Sequence, residues 1–299
     1  MAPEVLNQPP RRDWRFWRQT TPYFFLAPAL LLFLIFMAYP IISSLWLSFQ
    51  SQNNPTGGFS LDNYQRLMGD TTFRKALTNT FFLLAIQVPL QLSLAMVLAV
   101  LLNNTVIKFR GGFRLIYFLP SITALFAVAL IFKLLLNDER GLINYVLNSI
   151  GLPSIRWLTE PWTAKLSLVM AITWRWTGYN MVIYLASLQS IPTELYEAAE
   201  LDGADGIDRF VNITLPLMRP TILLTTVLST IGTMQIFDEP FLLTRNGPSN
   251  ETLSVATLLY RTAFQGAEFN YASAIAYAMV LIIAAFSLLQ FRIAQRGED

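Results

Sequence analysis

Six long apolar stretches dominate the pattern of hydrophobic and polar positions along the chain. They cover residues 23–49, 79–102, 115–136, 166–188, 220–243 and 271–291. Each is long enough to cross a bilayer core of about 30 Å as a helix, which takes roughly 20 apolar residues. None alternates apolar and polar residues as a barrel strand does. The pattern therefore predicts an all-α membrane protein built as a six-helix transmembrane bundle.

The composition agrees with a membrane location and excludes several kinds of chemistry. Of the 299 residues, 54% are hydrophobic and 13% are charged, whereas soluble domains have about 25% charged residues. The net charge of +2 gives no strong basic field, so no nucleic-acid partner is expected. The chain has no Cys and no His, which removes disulfides, His-based triads and the usual zinc ligands. We therefore expect neither catalytic residues nor a metal site.

Basic residues set the predicted orientation, because Lys and Arg concentrate in cytoplasmic segments. They are densest before the first stretch, where Arg11, Arg12, Arg15 and Arg18 stand close together. Both termini are then predicted to be cytoplasmic. In this interpretation residues 1–22 form a basic cytoplasmic segment, and residues 23–299 form the membrane domain.

The most informative segment joins the fourth and fifth stretches at residues 192–220, and we call it the EAA segment. Helix-capping rules predict two short helices joined at a glycine. Glu194 favours the start of the first helix, and Asp202-Gly203 ends it, since Gly tolerates the left-handed cap conformation. The second helix is expected over about 205–213, with Pro216 as its stop. The first helix has a small apolar face that cannot bury itself outside lipid, so it needs a groove on another protein.

This segment resembles the EAA loop of permease subunits in binding-protein-dependent ABC importers. The residues that carry the resemblance are Glu197, Ala198, Ala199, Asp202, Gly203, Ala204, Phe210 and Pro216. The Asp-Gly-Ala form is similar to the carbohydrate branch of these permeases, which includes maltose and glycerol-3-phosphate permeases. The resemblance implies the type I ABC importer fold, and it implies that the residues named above dock into a cytoplasmic ATPase subunit.

The resemblance also implies a set of partners. They are two copies of a cytoplasmic ABC ATPase subunit, a second related permease and an extracytoplasmic solute-binding protein, assembled in the bacterial cytoplasmic membrane. The chain has no GxxxxGK[ST] loop, so it cannot hydrolyse ATP by the P-loop route. ATP and Mg²⁺ are therefore expected in the partner ATPase, with no cofactor and no enzymatic activity in this chain.

Candidate substrate contacts lie in the fourth and fifth stretches, where polar side chains interrupt the apolar sequence. They are Thr173, Arg175, Trp176, Tyr179, Asn180, Thr233, Gln235, Phe237, Asp238 and Glu239. Polar groups within a bilayer are costly and usually face a cavity or one another. Aromatic faces with amides and hydroxyls suit a sugar. In the family that the chain resembles, these two helices supply the sugar site.

The charged residues of these two stretches are expected to meet. Helical rise places Arg175 and Asp238 roughly 22 and 27 Å from the cytoplasmic side, which predicts a pair of Arg175 with Asp238 or Glu239. One interpretation is a structural or gate ion pair that neutralises the charge. The other has Arg175 and the carboxylate binding substrate while Trp176 and Tyr179 stack on it.

Three other polar side chains in the spans have simpler interpretations. Gln87 and Gln91, one turn apart, are expected to bridge helices rather than line the path. Lys133 is expected to snorkel at the end of its helix.

The sequence leaves rival functions open. An anionic polyol phosphate such as glycerol-3-phosphate could replace the sugar, with Arg175 holding the phosphate. An ion-coupled secondary transporter would instead use Asp238 or Glu239 as the titrating group. An intramembrane enzyme is disfavoured, because no nucleophile–base pair or metal constellation occurs in the sequence.

Overall fold

A computed structural model describes residues 14–51, 58–104 and 107–295, and these residues form helices joined by short connections. The helices are α1 (Trp14–Phe33), α2 (Tyr39–Ser48), α3 (Asp62–Gly69), α4 (Thr71–Asn103), α5 (Arg110–Ile122), α6 (Leu125–Leu135), α7 (Leu142–Ser149), α8 (Pro161–Gln189), α9 (Thr193–Leu201), α10 (Gly206–Arg209), α11 (Leu215–Leu217), α12 (Arg219–Met234), α13 (Asp238–Leu242), α14 (Val255–Tyr260) and α15 (Phe269–Gln295). Three π turns, at Leu34–Ala38, Phe210–Thr214 and Arg261–Gln265, connect neighbouring helices. No strand occurs within those ranges, which confirms the all-α prediction.

Four helical segments are long and apolar enough to cross a membrane: Tyr23–Ser48, Thr71–Asn103, Arg219–Leu242 and Phe269–Gln295. Helices α5 and α6 add a fifth if together they make one span. Helix α8 has 29 residues, but its polar residues keep it out of this group. The six-span count and the cytoplasmic termini therefore stay predictions. Of the predicted basic segment, residues 1–13 lie outside the described residues and the rest belongs to α1.

The third predicted span, residues 115–136, is not one straight helix. It breaks at Thr123 and Ala124, which adopt extended backbone conformations, and α5 and α6 meet at 101°. Pro120 lies three residues before the break and removes one backbone donor from the end of α5. The fifth span also contains a break, at residues 235–237 between α12 and α13. Both breaks release backbone carbonyls within the bundle.

Helices α4 and α8 form the centre of the bundle. Near the end that carries the EAA segment, Ala95 and Ala99 of α4 pack with Met181, Tyr184 and Leu188 of α8. Small residues let two helix backbones approach closely, which maximises van der Waals contact where lipid offers no hydrophobic driving force. A second cluster at the opposite end joins α4 to the start of α15 through Phe73, Ala76, Tyr271 and Ile275, among others.

At this opposite end, ion pairs tie the loop before α14 to the helices. Glu251 lies 2.8 Å from Lys75 at the start of α4 and 2.7 Å from Lys165 at the start of α8. Hydrogen bonds from Lys165 and Lys75 hold the pKa of Glu251 below its usual value. Arg66 lies 2.6 Å from Glu268 just before α15. One loop is thereby fixed against both central helices.

Helices α5 and α8 lie in close contact at Gly178. A Cβ atom added there would lie 1.8 Å from the Tyr117 carbonyl oxygen, so only glycine fits. Backbone atoms cannot move aside as a flexible side chain can. Any larger residue must push the two helices apart.

We expect Gly178→Ala to destabilise the fold by about 3 kcal/mol, as overpacking in a tight interior does. The midpoint of thermal unfolding of the detergent-solubilised protein measures this change. Gly112→Ala is the matched control, since Gly112 is also helical, in α5, and its added Cβ meets no atom within 4 Å. Equal midpoints for the two variants would show that α5 and α8 do not pack this closely.

Candidate functional site

A cavity of ≈ 360 Å³ lies between α4, α8, α12 and α13, and we call it the central cavity. Gln87 lines it and is the middle residue of the 33-residue helix α4. Polar groups halfway along a membrane-spanning helix are expensive unless they face such a space or one another. The cavity is therefore at the depth expected of a translocation site.

Most of the predicted substrate contacts meet around this cavity. Those that line it are Trp176, Tyr179, Asn180, Thr233, Gln235, Phe237, Asp238 and Glu239. Thr173 and Arg175 do not line it, although both are buried. The polar lining residues that sequence reasoning missed are Gln87, Gln91 and Ser229. The signal for the two glutamines is in the sequence, since they stand one turn apart inside a long apolar run.

A hydrogen-bonded network joins one wall of the cavity. The Gln87 amide donates to the Gln91 side-chain oxygen. Thr233 donates to Gln87 Oε1 at 3.0 Å, and Gln91 donates to Ser229 Oγ at 3.3 Å. These bonds connect α4 to α12, which confirms that the two glutamines bridge helices. They also line the cavity, contrary to the prediction that they would not.

Aromatic rings form a second wall. Trp176 and Tyr179 stand edge to face with ring centroids 5.8 Å apart, and both remain more than a third exposed. Asn180 donates its side-chain amide to the Trp176 carbonyl at 3.1 Å, which leaves the amide oxygen available. Rings beside amides and hydroxyls can contact both the C–H faces and the hydroxyls of a sugar.

The predicted ion pair forms with Glu239 rather than with Asp238. Arg175 Nη1 lies 3.8 Å from Glu239 Oε1, and both residues are 6% exposed. Arg175 also donates to the carbonyl of Thr123 at 3.4 Å, which is the backbone that the break between α5 and α6 releases. Its guanidinium lies 5.3 Å from the Trp176 ring. Because Arg175 stands behind the cavity wall, this geometry favours the structural interpretation of the pair.

The EAA segment has the two-helix form that its sequence predicts. Helix α9 ends in a Schellman motif, in which Gly203 has φ +82° and Ala204 N–H donates to the Ala199 carbonyl at 2.9 Å. Asp205 then caps α10 by accepting from the backbone N–H groups of residues 207 and 208. An ion pair links the two helices, with Arg209 Nη1 3.0 Å from Glu200 Oε2.

The second half of the segment differs from its prediction. Pro216 does not stop a helix there, because it lies in the short helix α11 and the chain turns at Met218 instead. A π turn over Phe210–Thr214 precedes it. A wide turn of this kind tolerates the missing N–H of a following proline.

The EAA segment presents unpartnered apolar surface. Leu201 is 90% exposed and Ile207 is 74% exposed, on either side of the Gly203 turn. Glu197 and Ala198 are also exposed, while Ala199 and Ala204 are half-buried. A groove on another protein would cover such a surface.

Comparison with known proteins identifies the family. The chain matches the model of the binding-protein-dependent transport system inner membrane component over residues 92–297. The chain belongs to this family. The match includes the whole EAA segment and every helix that lines the central cavity except the first part of α4.

Two relatives of this permease are 42% and 34% identical to it. The lactose transport system permease protein LacF of Rhizobium radiobacter is 42% identical over 90% of this chain and 92% of that protein. The arabinooligosaccharides transport system permease protein AraP of Bacillus subtilis is 34% identical over 98% of this chain and 94% of that protein.

A solved structure extends the likeness to the fold. A chain of a bacterial alginate ABC transporter, solved with an alginate pentasaccharide-bound periplasmic protein, matches with a TM-score of 0.83. The two chains are 26% identical, over 96% of this permease and 98% of that chain. These relatives are transport permeases, not enzymes, and the family is one of inner membrane components. The resemblance inferred from the EAA segment is thereby confirmed.

We expect Glu239→Gln in this permease to cost about 3–5 kcal/mol of stability, because it leaves the buried Arg175 charge without compensation. Thermal unfolding in detergent measures the loss. Asp238→Asn is the control, since Asp238 is half-buried and forms no salt bridge within the described chain.

The double variant Arg175→Gln/Glu239→Gln should recover most of the stability lost in Glu239→Gln, because it removes both charges. Additive losses in the double variant would show that the two side chains do not interact.

Proposed function

We propose that this permease forms half of the pathway of an ATP-driven importer that moves a sugar or oligosaccharide across the bacterial cytoplasmic membrane. The observation that carries the proposal is the central cavity, with its aromatic rings beside amides and hydroxyls halfway along α4. The relatives named for lactose and arabinooligosaccharides, and the alginate transporter, support a saccharide substrate.

A neutral saccharide fits the central cavity better than a polyol phosphate does. Asp238 and Glu239 both line the cavity and would repel a phosphate. Arg175, the cation that could hold the phosphate, stands behind the wall and pairs with Glu239. Sugar hydroxyls, in contrast, can donate to these carboxylates and to the amide oxygens.

The pathway needs a second permease, because the described chain leaves most of its first apolar segment, Tyr23–Ser48, exposed. No residue in the most apolar part of Tyr23–Ser48 is buried within the described chain. A related permease would cover this helix and close the open side of the central cavity. The solute-binding protein would deliver its sugar at the end opposite the EAA segment.

The EAA segment is well placed to couple the pathway to two ATPase subunits. It connects directly to α8 and α12, which both line the central cavity. These helices are joined near the segment by hydroxyl hydrogen bonds of Tyr184 with Thr225 at 2.8 Å and Ser187 with Thr221 at 2.9 Å. Movement of the docked segment would therefore carry both helices and change the shape of the cavity.

A single cysteine tests this coupling cleanly, because the natural chain contains none. We expect Ala198→Cys to crosslink to the ATPase subunit when the complex is treated with a short bifunctional maleimide and a cysteine is placed in the ATPase groove. Ser149→Cys, exposed in α7, is the matched control and should give no such product.

Crosslinks from position 198 that reach only lipid or the permease itself would contradict the docking proposal. An ion-coupled secondary transporter would show a different result, namely transport by the purified permease alone and no ATPase upon co-purification.

Saccharide binding in the central cavity is tested with Tyr179→Ala, which removes a ring that lines the cavity. We expect uptake of the transported sugar to fall about tenfold through a higher KM, which corresponds to about 1.4 kcal/mol of lost binding. Proteoliposomes that hold the whole importer measure the initial rate.

Tyr145→Ala is the control for Tyr179→Ala, since Tyr145 is 72% exposed in α7 and does not line the cavity. Equal KM values for Tyr179→Ala and the natural protein would place the sugar site elsewhere.

A further inference from the structure

A second cavity, of ≈ 550 Å³, lies at the end of the bundle opposite the EAA segment. It is lined by residues of α6, of α13 and of the connection that leads to α15, and it is open to solvent on one side. We call it the basic cavity, because three of its lining side chains are Lys133, Arg245 and Arg261. Its volume is in the range of sites that hold small organic ligands.

The three cations of the basic cavity have no carboxylate partner among the described residues. No described Asp or Glu lies within salt-bridge distance of Lys133, Arg245 or Arg261, although cations elsewhere at this end are paired with Glu251 and Glu268. Arg261 is held in place by hydrogen bonds to Asn250 Oδ1 at 3.0 Å and to the Arg245 carbonyl at 3.5 Å. Lys133, which is expected to snorkel, lies in the last turn of α6, is half-buried and lines this cavity. Three uncompensated cations around one space attract an anion.

Asn246 adds an unmet hydrogen-bond acceptor. It is 2% exposed and lines the basic cavity, with a backbone φ of +63° held by a bond from its N–H to the Pro240 carbonyl at 2.9 Å. Its side-chain oxygen is buried and has no hydrogen-bond partner in the described chain. Such an atom costs free energy unless a donor reaches it. A ligand hydroxyl would supply that donor.

Aromatic rings connect the basic cavity to the central cavity. Phe241 lines the former and Phe237 lines the latter, and the two rings stack with centroids 5.1 Å apart at 19°. Tyr260 contacts both rings edge-on, at 5.2 and 5.7 Å. One aromatic surface therefore runs from one cavity to the other, and Phe126 adds a further ring on the basic side.

We propose that the basic cavity is an outer subsite that holds the uronate residue of an oligosaccharide, while the neutral residues of the oligosaccharide extend along Phe241 and Phe237 towards the central cavity. This inference rests on the proposed transport of saccharides. The cations bind the carboxylate, Asn246 accepts a sugar hydroxyl, and the rings contact the C–H faces. An acidic side chain of the solute-binding protein would satisfy the cations but would leave the Asn246 oxygen without a donor.

Direct binding to the assembled importer in nanodiscs, without the solute-binding protein, tests the proposal. The probes are digalacturonate and the neutral disaccharide lactose, measured by calorimetry. We expect Arg245→Gln and Lys133→Gln each to weaken digalacturonate binding about tenfold, and added salt to weaken it further. Lactose binding should not change. Arg245→Glu should abolish the digalacturonate signal.

The matched control is Arg140→Gln, an exposed cation that does not line the cavity and should leave both probes unaffected. Arg261→Lys, which keeps the charge, guards against a loss that is due to misfolding and should retain digalacturonate binding. Tyr179→Ala separates the two sites, since it should weaken lactose binding while the digalacturonate signal of the basic cavity persists.

Three results would overturn the inference. Equal digalacturonate affinity in Arg245→Gln, Lys133→Gln and the natural protein, with lactose binding and uptake intact, would refute the subsite and leave the proposed transport standing. Loss of solute-binding-protein association in the cation variants, with unchanged digalacturonate binding, would show that the cavity docks protein. Failure of the natural importer to bind or transport any saccharide would remove both proposals together.

Discussion

Polar groups inside this bundle depend on partners from other helices or on the molecule that passes through the pathway. Water is not available at the middle of a bilayer, so an amide or a guanidinium there seeks a partner on a neighbouring helix. Gln87 and Thr233 join α4 to α12 in this way, and Arg175 joins α8 to Glu239 and to the Thr123 carbonyl. The same constraint leaves the remaining amides and hydroxyls facing the central cavity, where a hydroxylated substrate can meet them.

The breaks in the helices provide hydrogen-bond partners for buried polar groups. In a straight third span every backbone carbonyl would accept a hydrogen bond within the helix, and none would be available as an acceptor for Arg175. The turn at Thr123 and Ala124 presents a carbonyl to the guanidinium instead. Likewise, the short break before Asp238 places Phe237 and Glu239 at the cavity. Irregular backbone is tolerated at this depth because it lies within the protein.

Hydropathy and capping rules account for the helical class, for the Gly203 turn and for the EAA segment, because these features depend on residues close together in the chain. Eight of the ten predicted substrate contacts line the central cavity, because polar side chains in an apolar helix tend to face a cavity or one another. Their contact with substrate stays a prediction. The choice of Glu239 over Asp238, the 101° bend after Pro120 and the inward position of Gln87 depend on how distant helices pack. A single sequence does not contain that geometry. Pro216 shows that even a local rule can fail. The proline was predicted to stop a helix, but the π turn before it accommodates the proline.

The contact at Gly178 divides the permease into parts that can and cannot separate. Helix α5 lies against α8 with no space for even a methyl group, and α4 is packed along α8 by small residues. We expect these three helices to move as one unit, because their backbones lie in close contact. Helix α12 packs chiefly against α4 and α15. Near the EAA segment, hydroxyl hydrogen bonds also join α8 to α12. On the other side of the central cavity, the Arg175–Glu239 ion pair joins α8 to α13, so widening of the pathway at that end would require this ion pair to separate.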